Sequence, residues 1–216
     1  WFLSKRDLPP SASSIAITLA LIIVPVLLIA KEPDLGTSLL VAASGIFVLF
    51  LAGLSWRLIS AAVVLAVPFI AFAWNFLLHD YQRTRVLTLL NPEADVQGAG
   101  WNIIQSKTAI GSGGLTGKGY LEGTQSHLHF LPEGHTDFII AAFSEEFGLL
   151  GVMLLMFIYF CLLSRALYIA FTHPDVYSRL LAGAIAMSFF VYIFVNVGMV
   201  GGILPVVGVP LPFISY

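Results

Sequence analysis

Five long apolar blocks set this chain apart from an ordinary soluble domain. Apolar residues make up 58% of its 216 residues and charged residues only 10%, against about 45–50% and 25% in soluble domains. Each block has roughly 18–23 residues, enough to cross the hydrocarbon core of a bilayer as a helix. The sequence therefore predicts an all-α polytopic membrane protein with a single membrane domain over residues 1–216 and spans near 13–30, 36–54, 58–78, 149–171 and 180–199.

The remaining composition excludes several classes of function. The net charge is −2, and no Lys/Arg stripe is present to neutralise phosphates, which argues against nucleic-acid binding. Cys161 is the single cysteine and has no partner for a disulfide or a thiolate metal site. Because the first residues lack both a signal-peptide pattern and an initiator Met, we expect the chain to begin and end inside a longer protein.

Basic residues in the short connections predict the orientation of the chain in the membrane, because short connections with an excess of Lys and Arg lie on the cytoplasmic side. The basic residues on one side of the predicted spans are Lys5, Arg6, Arg57, Arg165 and Arg179. The opposite short connection, 31–35, carries one Lys against two acids. We therefore expect loop 79–136 to lie outside the cytoplasm. It is long for a connection inside a compact protein, which indicates a function.

Three local patterns subdivide this loop. Segment 91–95 reads as a turn, 102–110 as a short amphipathic helix, and the glycine-rich run 111–119 as a flexible or tightly turning segment. The glycine run is not a nucleotide-binding loop, because Gly119 stands where Ser or Thr is required and Ser112 stands where the first Gly is required.

A cluster of ligand-type side chains follows the glycine run, at His127, His129, Glu133, His135 and Asp137. Dedicated zinc sites need neighbouring groups to converge, and Pro132 and Gly134 leave that convergence open. A divalent cation, Mg²⁺ or Mn²⁺, bridging a carboxylate and a substrate phosphate is the alternative favoured for a site that handles pyrophosphate.

Asp137 stands where the loop meets the next apolar run. It either caps a helix, as Asp and the adjacent Thr136 commonly do, or acts chemically. Glu145 and Glu146 follow inside the apolar run, and acids at membrane depth are functional candidates because they are costly to bury. Helical spacing places Glu145 on the same face as Asp137, a grouping that we expect to keep a carboxylate usable as a base.

Other charged residues flank the predicted spans. Lys31, Glu32 and Asp34 form either a solvated turn or part of a site. Arg83 and Arg85 either anchor the chain at the interface or bind phosphate oxygens, for which the planar guanidinium is suited.

Glycines and prolines interrupt the C-terminal apolar stretch, at Gly198, Gly201, Gly202, Pro205, Gly208, Pro210 and Pro212. Broken backbone at membrane depth is tolerated only when it is buried in protein or lines a cavity. The pattern therefore predicts a cavity or a re-entrant segment.

Several short motifs are spread along the chain between residues 31 and 216. They are 31–38 (KEPDLGTS), Arg83-Thr84-Arg85, 98–102 (GAGWN) with 105–107 (QSK), 123–125 (GTQ), 135–138 (HTDF), 145–148 (EEFG) and 210–216 (PLPFISY). Over essentially the whole chain, these motifs resemble the shape, elongation, division and sporulation (SEDS) family.

The resemblance implies a peptidoglycan glycosyltransferase of about ten helices, of which this fragment holds about five. Such an enzyme polymerises lipid II into glycan strands during cell elongation, beside a class B penicillin-binding protein, in the bacterial cytoplasmic membrane with its active face outside. It implies Asp137 as the catalytic residue. The expected substrate-binding residues are Lys31, Glu32, Asp34, Arg83, Arg85, Lys107, His135, Thr136, Glu145 and Glu146.

Two other functions remain as alternatives: a lipid II flippase and a non-catalytic scaffold of the elongation complex. Carriers place their binding groups near the bilayer midplane, often within inverted repeats. Here the polar groups gather at the outer surface, which favours the enzyme.

Overall fold

The computed structural model describes residues 1–32, 34–76, 78–95, 98–127, 134 and 136–216, and all regular structure among these is helical. Two short 3₁₀ turns lie at Leu3–Lys5 and Pro92–Ala94. The α-helices are α1 (Ala12–Lys31), α2 (Leu35–Leu51), α3 (Trp56–Phe76), α4 (Asp80–Leu90), α5 (Ala99–Gly113), α6 (Thr124–His127), α7 (Ile139–Thr172) and α8 (Val176–Val200).

Four helices, α1, α3, α7 and α8, are long and apolar enough to cross a membrane, which confirms the all-helical membrane fold. The predicted second span is the shorter α2, with 17 residues. Helix α7 begins at Ile139, ten residues before the predicted fourth span. Gly148 bends α7 with φ 66° and ψ −168°, so Leu149 is the first residue beyond the bend.

The described chain divides into two compact units. The first unit comprises Trp1–His79 and Leu163–Val191, and the second comprises Asp80–Leu162 and Tyr192–Tyr216. The second unit contains α4, α5, α6, the first part of α7 and the last part of α8. The single membrane domain expected from sequence stays a prediction.

Apolar packing and helix caps account for the first unit. Leu3, Leu49 and Leu180 form its buried core with Ala52. Val64 and Leu65 of α3 remain 69% and 67% exposed, as expected of a helix that faces lipid chains.

The start of α8 is capped by Asp175. Its carboxylate accepts hydrogen bonds from Ser178 Oγ at 2.7 Å and from Ser178 N at 2.8 Å. These two hydrogen bonds hold the pKa of the Asp175 carboxyl below its ordinary value.

The second unit begins with the segment predicted as one long outer loop, and most of that segment is helical. The predicted helix 102–110 is confirmed within α5, and the predicted turn 91–95 contains the 3₁₀ turn. Helix α4 was not predicted, because its polar sequence lacks a clear apolar stripe. Ser106 of α5 donates to the Val200 carbonyl at 2.9 Å and ties α5 to the end of α8.

Two glycines of α5 differ in what surrounds them. A methyl group on Gly113 would collide with the Ser144 carbonyl of α7, whereas one on Gly111 would meet no atom within 4 Å. The contact with α7 therefore requires glycine at 113 and not at 111.

We predict that Gly113→Ala lowers the unfolding temperature of the purified protein, because forcing a side chain into a packed contact costs about 1–3 kcal/mol. The matched control Gly111→Ala should be neutral or stabilising by up to about 1 kcal/mol, because alanine is the better helix former. Thermal unfolding in detergent, followed by tryptophan fluorescence, measures both. Equal midpoints for the two variants would contradict the close contact.

Candidate active site

The glycine-rich run is docked on α7. Lys118 N donates to the Glu145 carbonyl at 3.0 Å and Gly119 N to the Glu146 carbonyl at 3.1 Å. In the opposite direction, Leu149 N donates to the Gly114 carbonyl at 2.9 Å. Residues 111–113 of this run end α5. Of the two predictions, tight turning is confirmed from Gly114 onward, because backbone hydrogen bonds on both sides of the α7 bend hold this part.

Positive φ angles allow this close approach. Gly117 has φ 80° and Gly148 has φ 66°, and a side chain on either would collide with the backbone of the other segment. Glycine adopts such angles without the steric cost that other residues incur. The bend in α7 and the turn of the glycine run therefore pack directly against each other.

The buried carboxylate of Glu145 completes this contact. Glu145 has no exposed surface, and its Oε1 lies 2.7 Å from Lys118 Nζ. The same oxygen accepts from Thr124 N at 2.9 Å and Thr124 Oγ1 at 3.0 Å, and Gln125 N lies 3.1 Å from both carboxylate oxygens. A buried charge needs such partners, and here they come from the loop and from the start of α6.

The contacts of Glu145 show a structural role for its carboxylate, and the grouping with Asp137 expected from sequence stays a prediction. The hydrogen bonds of its carboxylate go to Ser112, Lys118, Thr124 and Gln125. Its neighbour Glu146 is half-buried and contributes its backbone carbonyl to the docked run. A substrate contact for either side chain stays a prediction.

Asp137 lies just before α7, in a segment whose backbone is held by the C-terminal part of the chain. Asn196 Nδ2 donates to the Asp137 carbonyl at 2.8 Å and to the Val209 carbonyl at 2.7 Å. Ser215 Oγ donates to the Thr136 carbonyl at 2.7 Å while accepting from Leu211 N at 2.7 Å. Three backbone segments thus meet at Asp137.

The Asp137 side chain is half-buried, beside the exposed Gly208. A methyl group on Gly208, where φ is 73°, would lie 3.2 Å from Asp137 Oδ2. The broken C-terminal segment therefore forms one wall of a carboxylate site that stays open to the surface. Such a site can present an oxygen to a reacting hydroxyl group.

Three predicted cationic residues lie in the same unit as Asp137. Arg83 is about one-third exposed and its Nη1 lies 3.8 Å from Asp80 Oδ1, and Arg85 lies over the Tyr81 ring at 6.0 Å. Lys107 is exposed, with its side chain lying against Gly202. Exposed cations of this kind are suited to bind phosphate oxygens.

The other predicted site residues divide into two groups. Lys31, Glu32 and Asp34 belong to the first unit, where all three are exposed. Asp34 caps α2 by accepting from Thr37 N at 2.9 Å, so the helix-cap role is observed there. His135 lies outside the described residues.

Most of the side chains predicted as possible metal ligands lie close to His135 in the sequence. His129 and Glu133 also lie outside the described residues. Among the residues that the structure describes, no three His, Cys, Asp or Glu side chains converge. A Mg²⁺ or Mn²⁺ ion held between one carboxylate and a substrate phosphate needs no such cluster and stays a prediction.

Four residues of the site were not predicted from sequence: Lys118, Thr124, Asn196 and Ser215. Asn196 carried a detectable signal, because an amide inside an apolar helix must find hydrogen-bond partners. Thr124 belongs to the motif 123–125, which did not indicate its partner, and Lys118 carried no signal, because Glu145 lies more than twenty residues further along the chain.

Comparison with known proteins now identifies this arrangement. The model of the FtsW, RodA and SpoVE family, described as cell cycle proteins, matches residues 1–216. The chain belongs to the FtsW/RodA/SpoVE family. This confirms the resemblance to the SEDS family.

Relatives within the FtsW/RodA/SpoVE family refine the placement. The chain is 59% identical over 215 residues to the peptidoglycan glycosyltransferase MrdB of Escherichia coli strain K12, which covers 100% of this chain and 58% of that protein. It is 42% identical over 190 residues to a probable peptidoglycan glycosyltransferase FtsW of Trichlorobacter lovleyi, which covers 88% of this chain and 49% of that protein. The higher identity is to the RodA-type relative, as the motifs indicated.

Two solved structures share the fold of this family member. A chain of a peptidoglycan synthase complex that coordinates polymerization and crosslinking matches with a TM-score of 0.81 and 30% identity, over 99% of this chain and 60% of that chain. A mutant of the rod shape determining protein RodA of Thermus thermophilus matches with a TM-score of 0.62 and 26% identity, over 99% and 53%. The chain thus spans little more than half the length of these relatives.

We predict that Glu145→Gln destabilises the protein by on the order of 3 kcal/mol, because breaking a buried ion pair leaves donors without their partner. Lys118→Met should cost less, because the Lys118 side chain is 29% exposed and the backbone donors remain. Thermal unfolding of the purified protein measures both.

The matched control is Glu122→Gln, the same change at an exposed position of the loop. It should alter stability by no more than about 0.5 kcal/mol. A midpoint for Glu145→Gln equal to that of Glu122→Gln would refute the role given to the buried carboxylate.

Proposed function

We propose that this chain is the catalytic membrane part of a peptidoglycan glycosyltransferase that polymerises lipid II during cell elongation. Identity of 59% across the chain to a protein of that named activity supports the reaction class. The half-buried Asp137 carboxylate beside an exposed glycine supports the position of the reacting site. The single observation that carries the assignment is this open carboxylate, with the backbone of residues 136 and 137 held by the side chains of Ser215 and Asn196.

The proposed reaction joins two lipid-linked sugars. A hydroxyl group of one unit attacks the anomeric carbon of the other, and a new C–O bond forms as the bond to polyprenyl pyrophosphate breaks. The pyrophosphate leaves with the electron pair, and Asp137 accepts the hydroxyl proton as general base.

Cationic side chains complete the proposed mechanism. Charge develops on the leaving pyrophosphate, and fixed positive groups stabilise that charge in the transition state. Arg83, Arg85 and Lys107 lie in the same unit as Asp137 and are our candidates for this role. No step is assigned to a metal ion.

The proposal extends to partner and location. We propose a class B penicillin-binding protein as partner, because the solved relative with a TM-score of 0.81 belongs to a complex that coordinates polymerization and crosslinking. We place the protein in the bacterial cytoplasmic membrane with Asp137 on the outer face. The polyprenyl tail of the substrate keeps the reaction at the membrane.

We predict that Asp137→Ala and Asp137→Asn slow glycan polymerisation by about 10²–10⁴-fold, the usual contribution of a general base. The assay uses the full-length protein with its penicillin-binding partner and fluorescent lipid II. Glu122→Gln is the control and should polymerise at the wild-type rate. A wild-type rate for Asp137→Ala would show that this carboxylate is not the base.

Two further arms of the assay separate the alternatives. Lipid II translocation in liposomes that is lost in Asp137→Ala while polymer formation continues would favour a flippase. Polymerisation that stops in EDTA and recovers with Mg²⁺ or Mn²⁺ would support the cation predicted from the sequence. A polymerisation rate unchanged by EDTA would show that the reaction needs no divalent cation.

A further inference from the structure

Asn196 is a fully buried amide on α8 that the proposed chemistry does not use. It has no exposed surface, although its helix is otherwise apolar at this depth. Burying an amide is unfavourable unless its hydrogen-bonding groups find partners. The presence of Asn here therefore needs a physical explanation.

The amide nitrogen supplies that explanation. Nδ2 donates one hydrogen to the Asp137 carbonyl at 2.8 Å and the other to the Val209 carbonyl at 2.7 Å. Both partners are acceptors, which fixes the orientation of the amide. Oδ1, in contrast, has no hydrogen-bond partner in the described part of the chain. The amide is thus placed for its two donor contacts.

These two hydrogen bonds hold two backbone segments that lie beside the Asp137 carboxylate. The first fixes the backbone of residue 137 itself. The second fixes Val209, next to Gly208, where an added methyl group would lie 3.2 Å from Asp137 Oδ2. The Asn196 side chain therefore holds both the backbone that carries the Asp137 side chain and the segment beside the Asp137 carboxylate.

We infer that Asn196 is a positioning residue for Asp137, which aligns its carboxylate through the carbonyls of residues 137 and 209. The inference rests on the proposed role of Asp137 as general base. Displacement of a reacting group by about 1 Å can cost 10²-fold in rate, and loss of the two hydrogen bonds frees the backbone on both sides of the carboxylate.

The test separates alignment from folding by measuring turnover per binding-competent protein. Asn196→Leu keeps the approximate volume and removes both donors, and Asn75→Leu is the matched control because Asn75 donates to the Ala71 carbonyl within its own helix. Lipid II binding to the full-length protein gives the Kd and the number of competent sites. Polymerisation with the partner protein gives kcat and KM.

We expect Asn196→Leu to bind lipid II with a Kd within about twofold of wild type and to show a kcat per competent site about 10²-fold lower. Asn75→Leu should match the wild type in both. If Asn196→Leu does not bind, Asn196→Ser, which keeps one donor, replaces it and should show the same lower kcat with normal binding.

Two results overturn the inference. One is an unchanged kcat per competent site, and the other is loss of binding in both Asn196 variants, which would make the residue purely structural. Failure of the proposed function is distinguishable, because Asp137→Ala would then turn over at the wild-type rate whatever Asn196 does.

Discussion

The buried carboxylate of Glu145 organises the segment that leads to the candidate site. Its ion pair with Lys118 and its bonds from the start of α6 bring residues 112–125 onto the first turns of α7. Backbone hydrogen bonds across the bend at Gly148 extend the same contact. Because the carboxylate is fully buried, its partners cannot be replaced by water, and the loop has to stay docked for the charge to remain satisfied.

The site around Asp137 depends on a second set of buried polar contacts. The glycines and prolines of the C-terminal segment prevent a continuous helix. The Val209 carbonyl of this segment accepts from Asn196, and Gly208 lies beside the Asp137 carboxylate. Broken backbone in a membrane domain needs such partners. The same feature that ends α8 therefore builds the wall beside the reacting carboxylate.

Hydrophobic length predicted most of the membrane helices, because the bilayer thickness limits how short an apolar span can be. The predicted start of the fourth span, residue 149, is the first residue beyond the bend at Gly148, because the polar residues before the bend lower the local hydropathy, whereas α7 itself begins at Ile139. Helix α4 was missed because its polar first half and the apolar residues at its end form no clear apolar stripe. Local patterns predicted the turn near Pro92 and the helix α5.

The site was only partly predictable. Asp137 stood out from its position at the end of the loop and from the family motif. Glu145 stood out as a buried acid, but helical spacing paired it with Asp137, whereas its actual hydrogen bonds go to residues far away in sequence. Such long-range contacts leave no periodic pattern. Asn196 could have been found from its polarity within an apolar helix, although its partners could not.

Hydrogen–deuterium exchange of the full-length protein in lipid nanodiscs tests most directly whether the segment before α7 is docked structure. The amides of Lys118, Gly119, Thr124 and Gln125 all donate to Glu145 or to the Glu146 carbonyl. We predict that peptides containing them exchange far more slowly than an unstructured chain. Exchange at the unstructured rate would contradict the account.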